Sequence, residues 1–177
     1  MTSAWDEGTR LHEAAKEIRL LVFDVDGVLT NGQLWYGPED AEFKAFNVKD
    51  GQGIAWWNQL AGRQSIIITA RSSEIVRRRG DELGVAAVFE GQKNKWACLQ
   101  TYLSENNLAL NQVAYMGDDW PDIACLQHVG LATCPVDAVA EVQSVCDWVA
   151  SLPGGQGAVR DLINRLCEAQ GLLPQFV

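Results

Sequence analysis

From Gly51 to Ala169 the chain alternates between short runs of strand-forming residues and amphipathic segments of helical period. No other feature of the sequence narrows the possible folds as far. The expected elements are a helix over Gly53–Leu60, a strand over Ser65–Thr69, a helix over Ser72–Leu83 and a strand over Ala87–Phe89. They continue with a helix over Lys93–Glu105, a strand over Gln112–Met116, a short helix after Pro121 and a strand over Gly130–Ala132. A helix over Ala138–Gln143, a strand over Asp147–Ala150 and a helix over Ala158–Ala169 complete the series. Strands that alternate with helices build βαβ units, and these predict an α/β class with a parallel sheet and right-handed crossovers.

The segment before Gly51 breaks the alternation. Residues from about Ala4 to Lys16 suit an amphipathic helix within an N-terminal stretch 1–19, and Leu20–Val25 reads as a buried strand that stops at Asp26-Gly27. The runs Leu34-Trp35-Tyr36 and Phe43–Val48, separated by Gly37-Pro38-Glu39-Asp40, predict a β-hairpin. A length of 177 residues, 47% apolar and without a linker, predicts one domain over 1–177, ending in a glycine-rich loop, C-terminal helix and tail over 153–177. The run Pro153-Gly154-Gly155-Gln156-Gly157 has neither the context of a dinucleotide site nor the GK[ST] of a P-loop. It reads equally as a bare linker or as an element that folds over a neighbouring site.

A net charge of −9 and a pI near 4.6 argue against nucleic acid and anionic membrane as partners. No run approaches the ~20 apolar residues of a membrane span, and no signal peptide is apparent at the N-terminus. The five cysteines are odd in number, widely spaced and without metal-ligand spacing, which predicts reduced thiols in a cytoplasmic protein.

In an open parallel sheet, ligands bind outside the carboxyl ends of the strands. Three of the predicted strand ends carry related chemistry: Asp24 and Asp26, then Thr69 and Arg71, then Asp118 and Asp119. Each taken alone is an ordinary turn sequence. Together they cost energy, because two carboxylates about 4 Å apart repel by roughly 4 kcal/mol at an effective dielectric near 20. A divalent cation or a proton must offset that repulsion. An all-oxygen donor set suits Mg²⁺, whereas zinc calls for His or Cys, and the chain has only His12 and His128.

The motifs Asp24-Val25-Asp26-Gly27-Val28-Leu29-Thr30, Thr69 after an isoleucine strand, Lys95, and Gly117-Asp118-Asp119 resemble, in order and spacing, the four motifs of the haloacid dehalogenase superfamily. The resemblance implies a Rossmann-like parallel sheet flanked by helices and phosphatase chemistry through an aspartyl-phosphate. It implies Asp24 as nucleophile, Asp26 as acid/base, and Thr69 and Lys95 as ligands of the phosphoryl oxygens. Asp118, the Asp24 carboxylate and the Asp26 carbonyl would then hold Mg²⁺, with Asp119 as a supporting partner of the metal or of Lys95. Asp122 is expected to cap the following helix. The interval from Asp24 to Thr69 admits a hairpin but no inserted cap domain, so the chain is expected to be capless.

The finer resemblance, over Leu20 to about Cys167, is to the tetrameric KDO 8-phosphate phosphatases. Its signs are Asp50-Gly51-Gln52-Gly53-Ile54, Thr69-Ala70-Arg71-Ser72 and Gly154-Gly155-Gln156-Gly157-Ala158-Val159-Arg160. It implies a small anionic sugar-acid phosphate as substrate, bound with help from Arg71 and Arg79, and a homotetramer whose active sites are shared between subunits. Asn31 and Ala70 depart from the usual Asp and Gly of that family, and both departures lie at the rim. Two alternatives remain open at this point. One is a phosphatase for nine-carbon sugar acid 9-phosphates, for which Glu42 in the hairpin counts in favour and the absence of a lysine soon after Arg71 counts against. The other is a non-catalytic oligomerisation module. Trp56 and Trp57 read as core or interface, and Trp120 as a residue at the substrate entrance.

Overall fold

The computed structural model describes residues 5–39 and 41–174. Ala4 at the predicted start of the first helix, Asp40 in the hairpin turn and residues 175–177 of the tail lie outside the described residues. Six parallel strands form one sheet: β1 (Leu20–Phe23), β4 (Gln64–Ile68), β5 (Ala87–Phe89), β6 (Val113–Met116), β7 (Leu131–Cys134) and β8 (Trp148–Val149). Their order is β5-β4-β1-β6-β7-β8. The chain builds outward from β1 to β5 on one side, then crosses to β6 and builds outward on the other. The direction of winding therefore reverses between β1 and β6, and the carboxyl ends of those two strands flank the crevice where such sheets bind ligands.

Alternation along β1 divides the interior into two layers. Leu21 and Phe23 pack with Trp57 of α2 (Val48–Gln59), Val76 of α3 (Glu74–Leu83) and Leu162 of α7 (Ala158–Ala169), joined by Ala15 of α1 (Arg10–Glu17). Leu20 and Val22 pack with Leu99 of α4 (Lys95–Asn106), Cys125 of α5 (Ile123–Leu126) and Val142 of α6 (Ala140–Val145). β1 is buried along its whole length because helices cover both faces, which is why it reads as a continuous apolar run.

Caps move several boundaries from their predicted places. Thr9 accepts a hydrogen bond from the His12 N–H, so α1 begins at Arg10 rather than at Ala4. Asn47 accepts from the Lys49 N–H and starts α2 at Val48, five residues before the predicted Gly53. That early start takes Asn47 and Val48 from the predicted second hairpin arm, and residues 44–46 run on as an irregular link to the helix. The hairpin is consequently short, β2 (Trp35–Tyr36) paired antiparallel with β3 (Glu42–Phe43), and it stands apart from the main sheet. Leu34, Trp35, Tyr36 and Phe43 are all exposed.

The glycine-rich loop is packed against its own chain, so it is not a bare linker. Gly155 donates to the Val28 carbonyl at 2.9 Å, and a Cβ on Gly154 would stand 1.8 Å from the Gly27 carbonyl oxygen. The Asp50 carboxylate accepts from the backbone N–H groups of Gly157 and Arg160, which fixes the start of α7 on α2. Among the described residues no helix is long and apolar enough to cross a membrane.

Candidate active site

The strand ends bring the predicted residues to one cleft of about 170 Å³, lined by Asp24, Asp26, Thr69, Arg71, Lys95, Asp118, Asp119 and Asp122 among others. Asp24 follows β1 and its N–H donates to the Met116 carbonyl at 3.1 Å, in effect extending the strand pairing by one residue. Thr69 follows β4 and donates through its N–H to the Phe89 carbonyl at 2.9 Å. Asp118 follows β6 one residue after Gly117, whose N–H donates to the Thr133 carbonyl. Lys95 is the first residue of α4, where the Asn94 side chain caps the helix by accepting from the Ala97 N–H. Backbone hydrogen bonding thus fixes the base of each functional side chain.

Lys95 is buried, and its ammonium reaches Asp24 Oδ1 at 2.9 Å and Asp122 Oδ1 at 2.7 Å. Burial pulls its pKa down, but the charges of Asp24 and Asp122 outweigh that and hold it above the ordinary value. Asp24 is pushed up to about 6, first by burial and then by the Asp122 charge, with Lys95 opposing. Asp118 is pushed up to about 8 by burial and by the charges of Asp24 and Asp122. One ammonium does not neutralise this group of carboxylates.

Oxygen atoms of Asp24, Asp118 and Asp122 lie within 4.8 Å of one another. Asp122 is already committed: Oδ1 accepts from Lys95 and from the Tyr115 hydroxyl, and Oδ2 accepts from the Asp118 N–H at 3.2 Å. Asp118 Oδ1, in contrast, is buried with no hydrogen-bond partner among the described residues. A buried, unpartnered carboxylate oxygen beside the Asp24 carboxylate fits a hard cation with oxygen ligands, and Mg²⁺ is such an ion. Gly27 keeps that space open. Its φ is +99°, and a Cβ there would stand 2.0 Å from Asp118 Oδ2.

Asp26 is held from the hairpin side. Lys44 donates to Asp26 Oδ1 and lies 3.5 Å from Glu42, while Arg71 lies 3.7 Å from Asp26 Oδ2 and 3.2 Å from Glu42 Oε1. Arg71 also donates to the Tyr36 hydroxyl at 3.1 Å, and the Ser73 hydroxyl donates to Glu42 Oε2 at 2.8 Å. Burial raises the Glu42 pKa, but Ser73, Lys44 and Arg71 together carry it below the ordinary value.

Of the predicted site residues, Arg79 lies apart from the cleft of its own chain, while Asp119 lines the cleft without pairing with Lys95. Arg79 pairs with Glu82 at 3.1 Å, stacks 5.8 Å above the Phe46 ring and fills the space left by the missing side chain of Gly51. Asp119 partners Trp120 instead of Lys95, accepting from its N–H at 2.8 Å and capping the turn Trp120–Asp122. Beside Asp24, Lys95 pairs with Asp122, three residues after Asp119, which the sequence suggests only as a helix cap. Its signal is the i+4 spacing from Asp118, which lets one carboxylate reach back to the Asp118 N–H. Lys44 had no comparable signal, because the strand pairing that delivers it is set by the fold. Trp120 is exposed beside the cleft.

The model of the haloacid dehalogenase-like hydrolase family matches residues 64–159. The 3-deoxy-D-manno-octulosonate 8-phosphate phosphatase KdsC of Salmonella typhi is 38% identical over 167 residues, 94% of this chain and 88% of its own length. A probable YrbI family phosphatase from Pseudomonas syringae superposes with a TM-score of 0.90 at 39% identity, covering 93% of each chain. The Moraxella catarrhalis 3-deoxy-D-manno-octulosonate 8-phosphate phosphatase, solved in complex with a magnesium ion, a phosphate ion and KDO, superposes with a TM-score of 0.88 at 36% identity, covering 91% of this chain and 92% of that one. With the four motifs gathered at the carboxyl ends of β1, β4 and β6 and at the start of α4, the chain belongs to the haloacid dehalogenase-like hydrolase family, as one of its phosphatases.

Proposed function

We propose that the protein is a Mg²⁺-dependent phosphomonoesterase that hydrolyses KDO 8-phosphate to KDO and phosphate, in the making of a lipopolysaccharide precursor. The observation that carries this reading is the convergence of Asp24, Lys95, Thr69 and Asp118 on one cleft, in a chain so similar to KDO 8-phosphate phosphatases. The Asp24 carboxylate attacks phosphorus, and the bond from phosphorus to the sugar oxygen breaks. Asp26 gives a proton to the leaving alkoxide. Asp26 then takes a proton from water, whose oxygen attacks the aspartyl-phosphate, releasing phosphate and restoring Asp24. Lys95 and Thr69 hold phosphoryl oxygens in line, and Asp122 keeps Lys95 pointed at them.

The Asp24 and Asp118 carboxylates and the Asp26 carbonyl would hold Mg²⁺. Bound there, Mg²⁺ supplies positive charge against the charge that gathers on the phosphoryl oxygens. Arg71, at the cleft edge, offers a planar fork to the carboxylate of the sugar acid. We read the chain as one domain over 1–177 that works in the cytoplasm, a reading supported by five free cysteines. The exposed hairpin aromatics Trp35, Tyr36 and Phe43 support a homotetramer with shared active sites, in which Arg79 contributes from its place beside Phe46.

Phosphate release from KDO 8-phosphate, a sialic acid 9-phosphate, glucose 6-phosphate and para-nitrophenyl phosphate, with Mg²⁺ and with chelator, tests this. The reading predicts a strong preference for KDO 8-phosphate that chelator removes. Release from the generic ester alone would refute the substrate, and no metal-dependent release from any of the four would refute the enzyme.

A further inference from the structure

Four charged side chains close a ring beside the cleft, running from Asp26 to Lys44 to Glu42 to Arg71 and back to Asp26. Asp26 and Arg71 line the cleft, whereas Lys44 and Glu42 stand behind them. The Lys44 side chain is entirely out of solvent. Its charge is therefore not presented to a substrate, and an ammonium in such a place persists only when carboxylates pair with it. Arg71 Nε, 3.7 Å from Asp26 Oδ2, is beyond hydrogen-bonding range. Lys44, which hydrogen-bonds to Asp26 Oδ1, is the cation that fixes the rotation of the Asp26 carboxylate.

We infer that Lys44 is a positioning residue for the acid/base step: from its place immediately after β3 it holds Asp26 Oδ1, leaving Oδ2 on the Arg71 side of the cleft. The inference rests on the assignment of Asp26 as the residue that gives and takes the proton. Glu42 acts at one remove, since it pairs with both cations and keeps Lys44 and Arg71 a fixed distance apart. The short hairpin is thereby tied to the chemistry of its own chain as well as exposed to a neighbour.

The test is a mutant cycle of Lys44→Met and Asp26→Asn, read as kcat and KM with Mg²⁺ on KDO 8-phosphate and on para-nitrophenyl phosphate. A misplaced catalytic group costs on the order of 100-fold, so Lys44→Met is expected to lower kcat by roughly 10- to 100-fold. KM is expected to stay within about threefold of the wild type, as for a loss confined to the chemical step. The double variant is expected to be no slower than Asp26→Asn alone, because the lysine acts only through that carboxylate. Lys44→Arg, which keeps the charge, is expected to recover part of the lost kcat. An unchanged kcat, a change in KM alone, or losses that add in the double variant would each overturn the inference. If Lys44→Met does not fold, Lys44→Arg enters the same cycle, where a loss absent from the Asp26→Asn background supports the inference and an additive loss refutes it. Should the wild type act on the generic ester and not on KDO 8-phosphate, the substrate proposal fails while the cycle is still read on the generic ester.

Discussion

Lys95 Nζ donates to Asp122 Oδ1 at 2.7 Å, and the Asp122 side chain is wholly out of solvent. In the proposed mechanism, the lysine that holds the phosphoryl oxygens is therefore aimed by a carboxylate that is itself out of solvent. Asp122→Ala leaves Lys95, the Tyr115 hydroxyl and the Asp118 N–H without that partner. Breaking a buried pair from one side costs about 3 kcal/mol, which for a chain of this size is a fall in Tm of roughly 6–12 °C. A thermal melt of the variant, compared with Asp119→Ala at the exposed neighbouring cap, checks this. The Asp119 change is expected to cost about 1 kcal/mol, the worth of a cap.

Gly27→Ala is predicted to be a metal-site lesion although Gly27 is no ligand. The added Cβ would stand 2.0 Å from Asp118 Oδ2 at a backbone φ of +99°, so Asp118 must move. The expected result is a loss of kcat on the order of 100-fold and weaker Mg²⁺ binding, measured by titration calorimetry. Unchanged Mg²⁺ affinity would remove Asp118 from the ligand set.

Metal and pH are linked through the same two acids. In the ion-free chain Asp24 and Asp118 stand near 6 and 8, above the 3.8 of an ordinary aspartate. The folded chain therefore binds more protons than the unfolded one, and the contribution of these groups to stability is fully present below about pH 4 and lost as pH rises through 6 and on to 8. Mg²⁺ must displace those protons, so its affinity is expected to rise from pH 5 to pH 8 with net proton release. Calorimetry in buffers of different ionisation enthalpy reads this directly. At saturation a hundredfold above Kd, Mg²⁺ adds about 2.7 kcal/mol. The gain in Tm at pH 8 is expected to exceed that at pH 5.

The sequence made the βαβ order and the residues Asp24, Asp26, Thr69 and Asp118 legible, because strand ends in such a sheet converge whatever the loops do, whereas Lys95, at the start of α4, is legible only through the family resemblance. Side-chain pairing across elements was not legible. Asp122 was suggested as a cap because local pattern does not show that its carboxylate turns toward Tyr115 and Lys95. The hairpin is shorter than its sequence pattern suggests, because Phe46 and Val48 suit a strand while the Asn47 cap commits them to the approach and first turn of α2. The sequence does not show where Arg79 lies in its own chain: the opening that Gly51 leaves in α2 draws it toward Phe46, apart from that chain's cleft.

The hairpin gives a prediction about assembly. Trp35 and Phe43 face each other across the strand pair, and both are exposed. Trp35→Asp and Phe43→Asp are expected to leave the fold intact, because neither side chain is in the core, while lowering the mass seen by light scattering from tetramer to a smaller species. An unchanged mass would place the interface elsewhere.

The central claim is that Asp24 becomes phosphorylated. Rapid acid quench during the first turnover with Mg²⁺, followed by mass spectrometry, locates any phosphoryl group on the chain. The account predicts one phosphoryl group on the peptide carrying Asp24, more of it in Asp26→Asn, where its hydrolysis is slowed, and none in Asp24→Asn. Full turnover by Asp24→Asn, or a first turnover in which no phosphorylated peptide forms, would contradict it.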